Sequence, residues 1–213
     1  MTPFTFEEIQ LNQTTLFLCR FDNFAPAPYL NYLSKEEVVK LSSFKSISRK
    51  REFITSRILR HRILGFQTIH YTEHGAPYIK GKGFISISHC KNWVGIAVNE
   101  NYSIGLDLEP PRENIFALSY KFLSDNELLK FDIRSKLEVT KIWSAKEALY
   151  KLAGRKKIIF KTELLLDKDS NHKWSGRIIN PDSILSVNLN IFEHKGIIVS
   201  INSSKIVEHK RNT

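Results

Sequence analysis

The sequence predicts an α+β fold made of two similar halves, and three observations lead there. The first is a pair of helix-start signals. Ser34-Lys35-Glu36-Glu37 and Ser124-Asp125-Asn126-Glu127 each set a serine three residues before a glutamate. In such a capping box each side chain satisfies a backbone N–H at the other residue. The second is their context: Leu33–Lys40 resembles Leu123–Lys130 at an offset of 90 residues. The third is order. Each box leads to a longer helix and then to a strand pair, 84–98 in one half and 186–201 in the other. Helix-then-hairpin is also a common local order, so coincidence stays open beside duplication. Duplication sets a boundary near 99–104 and gives halves of residues 1–102 and 103–213. Halves related by a pseudo-twofold axis would leave a ligand cleft between them.

The elements follow from local pattern. Thr14–Cys19 reads as a strand, the first capping box opens a helix through Phe44, and residues 49–64 read as a second helix. Phe84–His89 and Trp93–Val98 read as a hairpin around Cys90-Lys91-Asn92, and Ser103–Glu109 as a further strand. Residues 137–153 carry the clearest helix. Ile142, Ala145, Leu149 and Leu152 form its apolar stripe, and Gly154 stands where a C-terminal cap belongs. Glu163–Asp167, Ser186–Phe192 and Ile197–Ile201 read as strands.

Composition narrows the function classes. The chain has 213 residues, 42% of them apolar, with 14 Phe and 3 Trp, which suits a packed core rather than disorder. The first residues lack a basic stretch followed by an apolar one, so no signal peptide is expected. No apolar run approaches the roughly 18 residues that span a bilayer. Cys19 and Cys90 are expected as reduced thiols in a cytoplasmic protein. The net charge of +10 calls for an anionic partner. Residues 45–62 hold seven basic residues and one acid, Glu52, and residues 151–161 hold five basic residues and no acid. A solvated face explains either cluster equally well. No nucleic-acid motif accompanies them, so neither nucleic acid nor membrane is an expected partner.

Three segments carry candidate chemistry. In Ser103–Glu109, strand alternation sends Ile104, Leu106 and Leu108 to one face and Gly105, Asp107 and Glu109 to the other. Two carboxylates side by side repel, which raises the pKa of one or invites a cation. The missing side chain at Gly105 would leave an approach for Mg²⁺ holding a ligand's phosphates. Two ordinary acids on an exposed face are the alternative. In Trp143–Lys151, residues Trp143, Glu147 and Lys151 recur every four positions on one helix face. They are either a surface ion pair or a metal ligand (or base) with a phosphate contact. Third, Ser88 and His89 end the first strand of the predicted hairpin and could donate to phosphate, or be structural. Cys90 lacks an orienting partner and is not read as a nucleophile.

Together these segments resemble the 4'-phosphopantetheinyl transferases. Ile104–Glu109 and Trp143–Lys151 look like that family's two signature motifs. Gly75-Ala76-Pro77 and Ser86–His89 look like the upstream motif of its larger, surfactin-type branch, and Arg51-Glu52-Phe53 with Arg57–Arg60 resembles that branch's basic helix. The matches run in family order from about residue 49 to 155. The resemblance implies a pseudo-dimeric α+β fold with the active site between its halves, acting as a monomer. It implies Mg²⁺ (or Mn²⁺) at Asp107, Glu109 and Glu147, and coenzyme A as co-substrate. It gives Glu147 or Lys151 the catalytic proton transfer. Coenzyme A phosphates would meet Lys151, His89, Ser88, Arg51 and Arg57, with Gly75 and Pro77 near the nucleotide. The acceptor would be a serine of an apo acyl, peptidyl or aryl carrier protein. A non-catalytic basic binding protein on the same fold is the alternative. Ala76 replaces a basic residue, Cys90 a common serine, and Arg155-Lys156-Lys157 a glycine-rich continuation found in many relatives.

Overall fold

The computed structural model describes residues 2–81 and 83–210. Two antiparallel sheets lie between two long helices. The first sheet runs β1 (Phe4–Leu11), β2 (Thr14–Phe21), β6 (Trp93–Asn99), β5 (Phe84–Cys90), β4 (Pro77–Tyr78), β3 (His70–Tyr71). The second runs β7 (Leu106–Glu109), β11 (Ile197–Asn202), β10 (Ser183–His194), β9 (Trp174–Ile179), β8 (Leu164–Lys168), with β12 (Val207–Lys210) also paired to β10. This is a mixed α+β architecture, as the sequence predicts. Among the described residues no helix is long and apolar enough to cross a membrane.

Each long helix covers the outer face of one sheet. After α1 (Lys35–Ser43), helix α2 (Ile47–Leu64) buries Phe53, Ile54, Ile58 and Leu59 against Cys19, Phe21, Val94 and Ile96. Further along the chain α3 (Ile115–Phe122) and α4 (Asp125–Lys130) precede α5 (Lys136–Ala153). Its predicted stripe, Ile142, Ala145, Leu149 and Leu152, packs on Leu164, Leu166, Trp174 and Ile178. Gly154 ends α5 at φ 61°, the left-handed cap that glycine adopts at little cost. Leu16, Leu18 and Ala97 meet Leu106, Leu108, Val199 and Ile201 between the sheets.

Both capping boxes form, and both glutamates go on to a second task. Glu37 is buried and pairs with Arg57 and Arg60 of α2, at 2.8 and 2.9 Å. Glu127 is buried and pairs with Lys146 of α5 at 2.7 Å. Lys146 Nζ also donates to the carbonyls of Phe122 and Phe160, the latter at the start of α6 (Phe160–Glu163). Both long helices are thus locked to the short capped helices before them by buried ions.

Boundaries differ from expectation where side chains replace the ladder. The predicted strand from Ser103 starts only at Leu106, because the Asn202 side chain takes the Gly105 N–H and donates to the Ser103 carbonyl. Strand β10 outgrows its predicted span because β12 and β9 pair along its start and β11 along its end. Strands β1 and β9 have no counterpart in the predicted set. Cys19 and Cys90 are free and buried, and burial pushes each thiol up to about 12.

Candidate active site

The site lies at the seam between the sheets. Strand β7 pairs with β11 on one side only. On its other side the N–H groups of Leu106 and Leu108 donate to the hydroxyls of Ser86 and Ser88 on β5, at 3.0 and 3.2 Å. Serine hydroxyls stand in for a backbone ladder there, and they bring the Ser86–His89 segment beside the acidic strand.

Alternation on β7 works as expected. Leu106 and Leu108 enter the core between the sheets, and Gly105 and Asp107 turn toward α5. Gly105 serves a different purpose from the one expected. A Cβ there would lie 2.1 Å from the Ala148 carbonyl oxygen, so its missing side chain admits the α5 backbone rather than a ligand. That close approach brings Lys151 to β7. Its ammonium donates to the Leu106 carbonyl at 2.5 Å, Ser88 Oγ at 3.0 Å and Asp107 Oδ1 at 3.1 Å. Ser88 in turn donates to Asp107 Oδ1 at 3.1 Å, while Asp107 Oδ2 is buried with no hydrogen-bond partner.

The other two predicted acids stand near Asp107 with different partners. Glu109 accepts from Trp143 Nε1 at 2.9 Å and takes both oxygens to Arg112 at 2.8 Å. Burial and the neighbouring Asp107 raise its pKa against the pull of those donors. For Glu147, burial and then Asp107 push the carboxyl up to about 7, and Lys151 offsets only part of this. It does not form the simple surface pair with Lys151 that i,i+4 spacing allowed, because Lys151 points to β7. Among the described residues, no three His, Cys, Asp or Glu side chains close into a ready metal cage.

The remaining predicted contacts separate. His89 faces α2, where its Nδ1 lies 3.2 Å from Glu52 Oε2 and its Nε2 meets Arg49. Two adjoining cavities share Gly75, Pro77 and Ile87. One, of about 170 Å³, is lined by Ser86, Ile104, Tyr150, Lys151 and Arg155. The other, of about 200 Å³, is lined by Lys40, Arg49, Glu52, Arg57, Tyr71 and His89. The carboxylates of Asp107, Glu109 and Glu147 line neither, and Lys151 links them to the first. Gly75 sits at φ 87° in a turn held by Thr72, a backbone conformation that favours glycine.

The two arginines expected at phosphates are otherwise engaged. Arg51 donates to the Phe24 carbonyl and Asn23 Oδ1, both at 2.8 Å, and lines neither cavity. Arg57 is buried, giving Nε to Glu37 and Nη1 to Ser56, and only its Nη2 reaches Tyr71 of the cavity wall. Arg49 is the cation of this helix that stands at His89. Charge counting could not tell these apart, because a glutamate 20 residues earlier decides which arginine is consumed. Arg112 and Tyr150 were also missed. Arg112 follows the acidic strand at i+3 from Glu109, a spacing that could have flagged it.

Among curated proteins none matches the chain. The family model of the 4'-phosphopantetheinyl transferase superfamily matches residues 103–191, somewhat under half of the chain. The matched segment begins just before Asp107, spans Glu109, Trp143, Glu147 and Lys151, and includes all of α5. Over that segment the chain is similar to the 4'-phosphopantetheinyl transferase superfamily.

Proposed function

We propose that this chain moves the 4'-phosphopantetheine arm of coenzyme A onto a serine of an apo carrier protein, with Mg²⁺ or Mn²⁺. The observation that carries this reading is the unsatisfied Asp107 Oδ2, buried beside a Glu147 whose carboxyl is pushed up to about 7. Buried acceptors are normally paired, and crowded carboxylates favour a cation. Asp107, Glu109 and Glu147 are read as the residues that would hold it. Mg²⁺ keeps several waters and takes one or two carboxylates with phosphate oxygens, so it needs no closed protein cage. When bound it would neutralise charge on the pyrophosphate.

The chain's own groups supply the rest. Glu147, on α5 beside Asp107 and one turn before Lys151, is the group read as accepting the serine proton. The three N–H donors of a Lys151 ammonium match its three acceptors, which fits a charge-stabilising role rather than a base. The serine oxygen bonds to the β-phosphorus next to the pantetheine arm. The bond from that phosphorus to the bridging oxygen breaks, and 3',5'-ADP leaves. Seating of His89 and Ser88 on the first sheet, beside residues of the second, supports the surfactin-type, pseudo-dimeric reading divided near residues 102 and 103.

The test is intact-protein mass spectrometry of apo carrier proteins incubated with this chain, coenzyme A and Mg²⁺. A gain of one phosphopantetheine mass, absent with Asp107→Ala and Glu147→Ala, is expected. No gain on acyl, peptidyl or aryl carriers, together with coenzyme A binding by calorimetry, would favour a binding protein on this fold.

A further inference from the structure

Glu52 is the one acid in a segment with seven basic residues, and it lines the cavity that Lys40, Arg49, Arg57 and His89 also line. A carboxylate there opposes any anionic ligand, so its placement calls for a reason. Its side chain is 14% exposed. Oε2 lies 3.2 Å from both Arg49 Nη1 and His89 Nδ1. Arg49 Nη1 also meets His89 Nε2. A guanidinium can only donate, so Nε2 must present its lone pair, and the neutral ring must carry its proton on Nδ1, toward Glu52.

We propose that Glu52 is a positioning residue for phosphate binding, holding the His89 ring with its proton on Nδ1 so that Nε2 faces the cavity. The inference rests on the transferase reading, in which a coenzyme A phosphate enters here. On entry the phosphate takes the Arg49 N–H that now meets Nε2. Nε2 then gains a proton from solvent and donates to the phosphate, and Nδ1–H stays beside Glu52 Oε2. The charged groups facing His89 are Arg49 and Glu52 from α2, Asp107 from β7 and Lys151 from α5. Glu52 is the carboxylate in contact with the ring, so it is the group that makes an imidazolium tolerable between two cations. Orientation of an imidazole by a carboxylate on its far nitrogen is a general device.

Two measurements test this. Two-bond ¹H–¹⁵N spectra of the ligand-free protein, with His89→Gln to assign the ring, should show the Nδ1–H tautomer. That tautomer should give way toward Nε2–H in Glu52→Ala, where Arg49 also loses the carboxylate that seats its guanidinium at Nε2, and be restored in Glu52→Asp. Calorimetry in buffers of different ionisation enthalpy should show proton uptake as coenzyme A binds. Glu52→Ala should remove that uptake and weaken binding about tenfold, with the loss falling on KM rather than kcat, as for a contact made equally in ground and transition states. Glu52→Leu keeps much of the side-chain volume without an acceptor and serves if the alanine variant unfolds. An unchanged tautomer, or unchanged affinity and proton uptake in a folded variant, overturns the proposal. If the native protein does not bind coenzyme A, the transferase reading falls, and the spectra alone decide whether Glu52 holds the ring.

Discussion

Lys151 holds one oxygen of the Asp107 carboxylate, with Nζ 3.1 Å from Oδ1, and Oδ2 remains buried without a partner. The two oxygens therefore do different work. An asparagine can keep the Oδ1 bonds while losing the charge. We predict that Asp107→Asn leaves the melting temperature within a few degrees and raises the Mg²⁺ needed for half-maximal carrier loading by about tenfold or more. A magnesium dependence equal to the native one would remove Asp107 from the metal site.

Glu147 gives a pH signature in metal-free protein. Its carboxyl is raised from the ordinary 4.5 to about 7, so between those values the folded state holds a proton that the unfolded state has lost. Stability contributed by this group therefore falls as pH rises through that window, by up to about 3 kcal/mol. Glu147→Gln should stabilise the protein by about 1–3 kcal/mol at pH 8 and change little near pH 4.5. Urea unfolding with a chelator at both pH values reads this directly. Equal effects at the two would show that Glu147 is not held protonated.

Glu37 titrates in the opposite sense. Burial raises its pKa, but the Ser34 N–H and the charges of Arg57 and Arg60 outweigh this and hold it below the ordinary 4.5. Its contribution is present above that value and is lost as pH falls through the depressed one. Glu37→Gln strands two buried guanidinium groups, and we expect a loss of about 3–5 kcal/mol at pH 7 that shrinks in acid. Denaturant unfolding at pH 7 and pH 3 checks both halves of the statement.

The basic turn after α5 divides into one ion-paired charge and two exposed ones. Arg155 is tied to Glu163 at 2.8 Å and to Asn180 and the Ile179 carbonyl, whereas Lys156 and Lys157 are exposed. If this turn meets an acidic carrier protein, reversing Lys156 and Lys157 to glutamate should raise the carrier KM several-fold and spare that of coenzyme A. Steady-state loading assays at low salt make the comparison. An unchanged carrier KM would place the docking surface elsewhere.

Much of this was legible because the signals are local. A capping box lies within four residues, a left-handed cap falls on one glycine, and the Leu106, Asp107, Leu108 alternation is a property of one strand. The fates of Arg57 and Arg51 were not legible, since Glu37 and the loop at Asn23 reach them only through the fold. The same holds for Arg49 and Glu52, which become site residues when β5 brings His89 to them. Strand β1 was missed because it is a sheet edge with a mixed burial pattern.

The contact at Gly105 sets a hard stop on how this site can vary. With room for no Cβ between β7 and the Ala148 carbonyl, strand and helix already touch, and neither can move closer. Any larger residue would wedge them apart and carry Glu147 and Lys151 away from Asp107 together. The spacing of the acidic cluster is thus gauged by main-chain contact rather than by side-chain packing. Retuning the site for a larger ion would have to come from longer or shorter acids at 107, 109 and 147, because the frame that carries them has no slack to give.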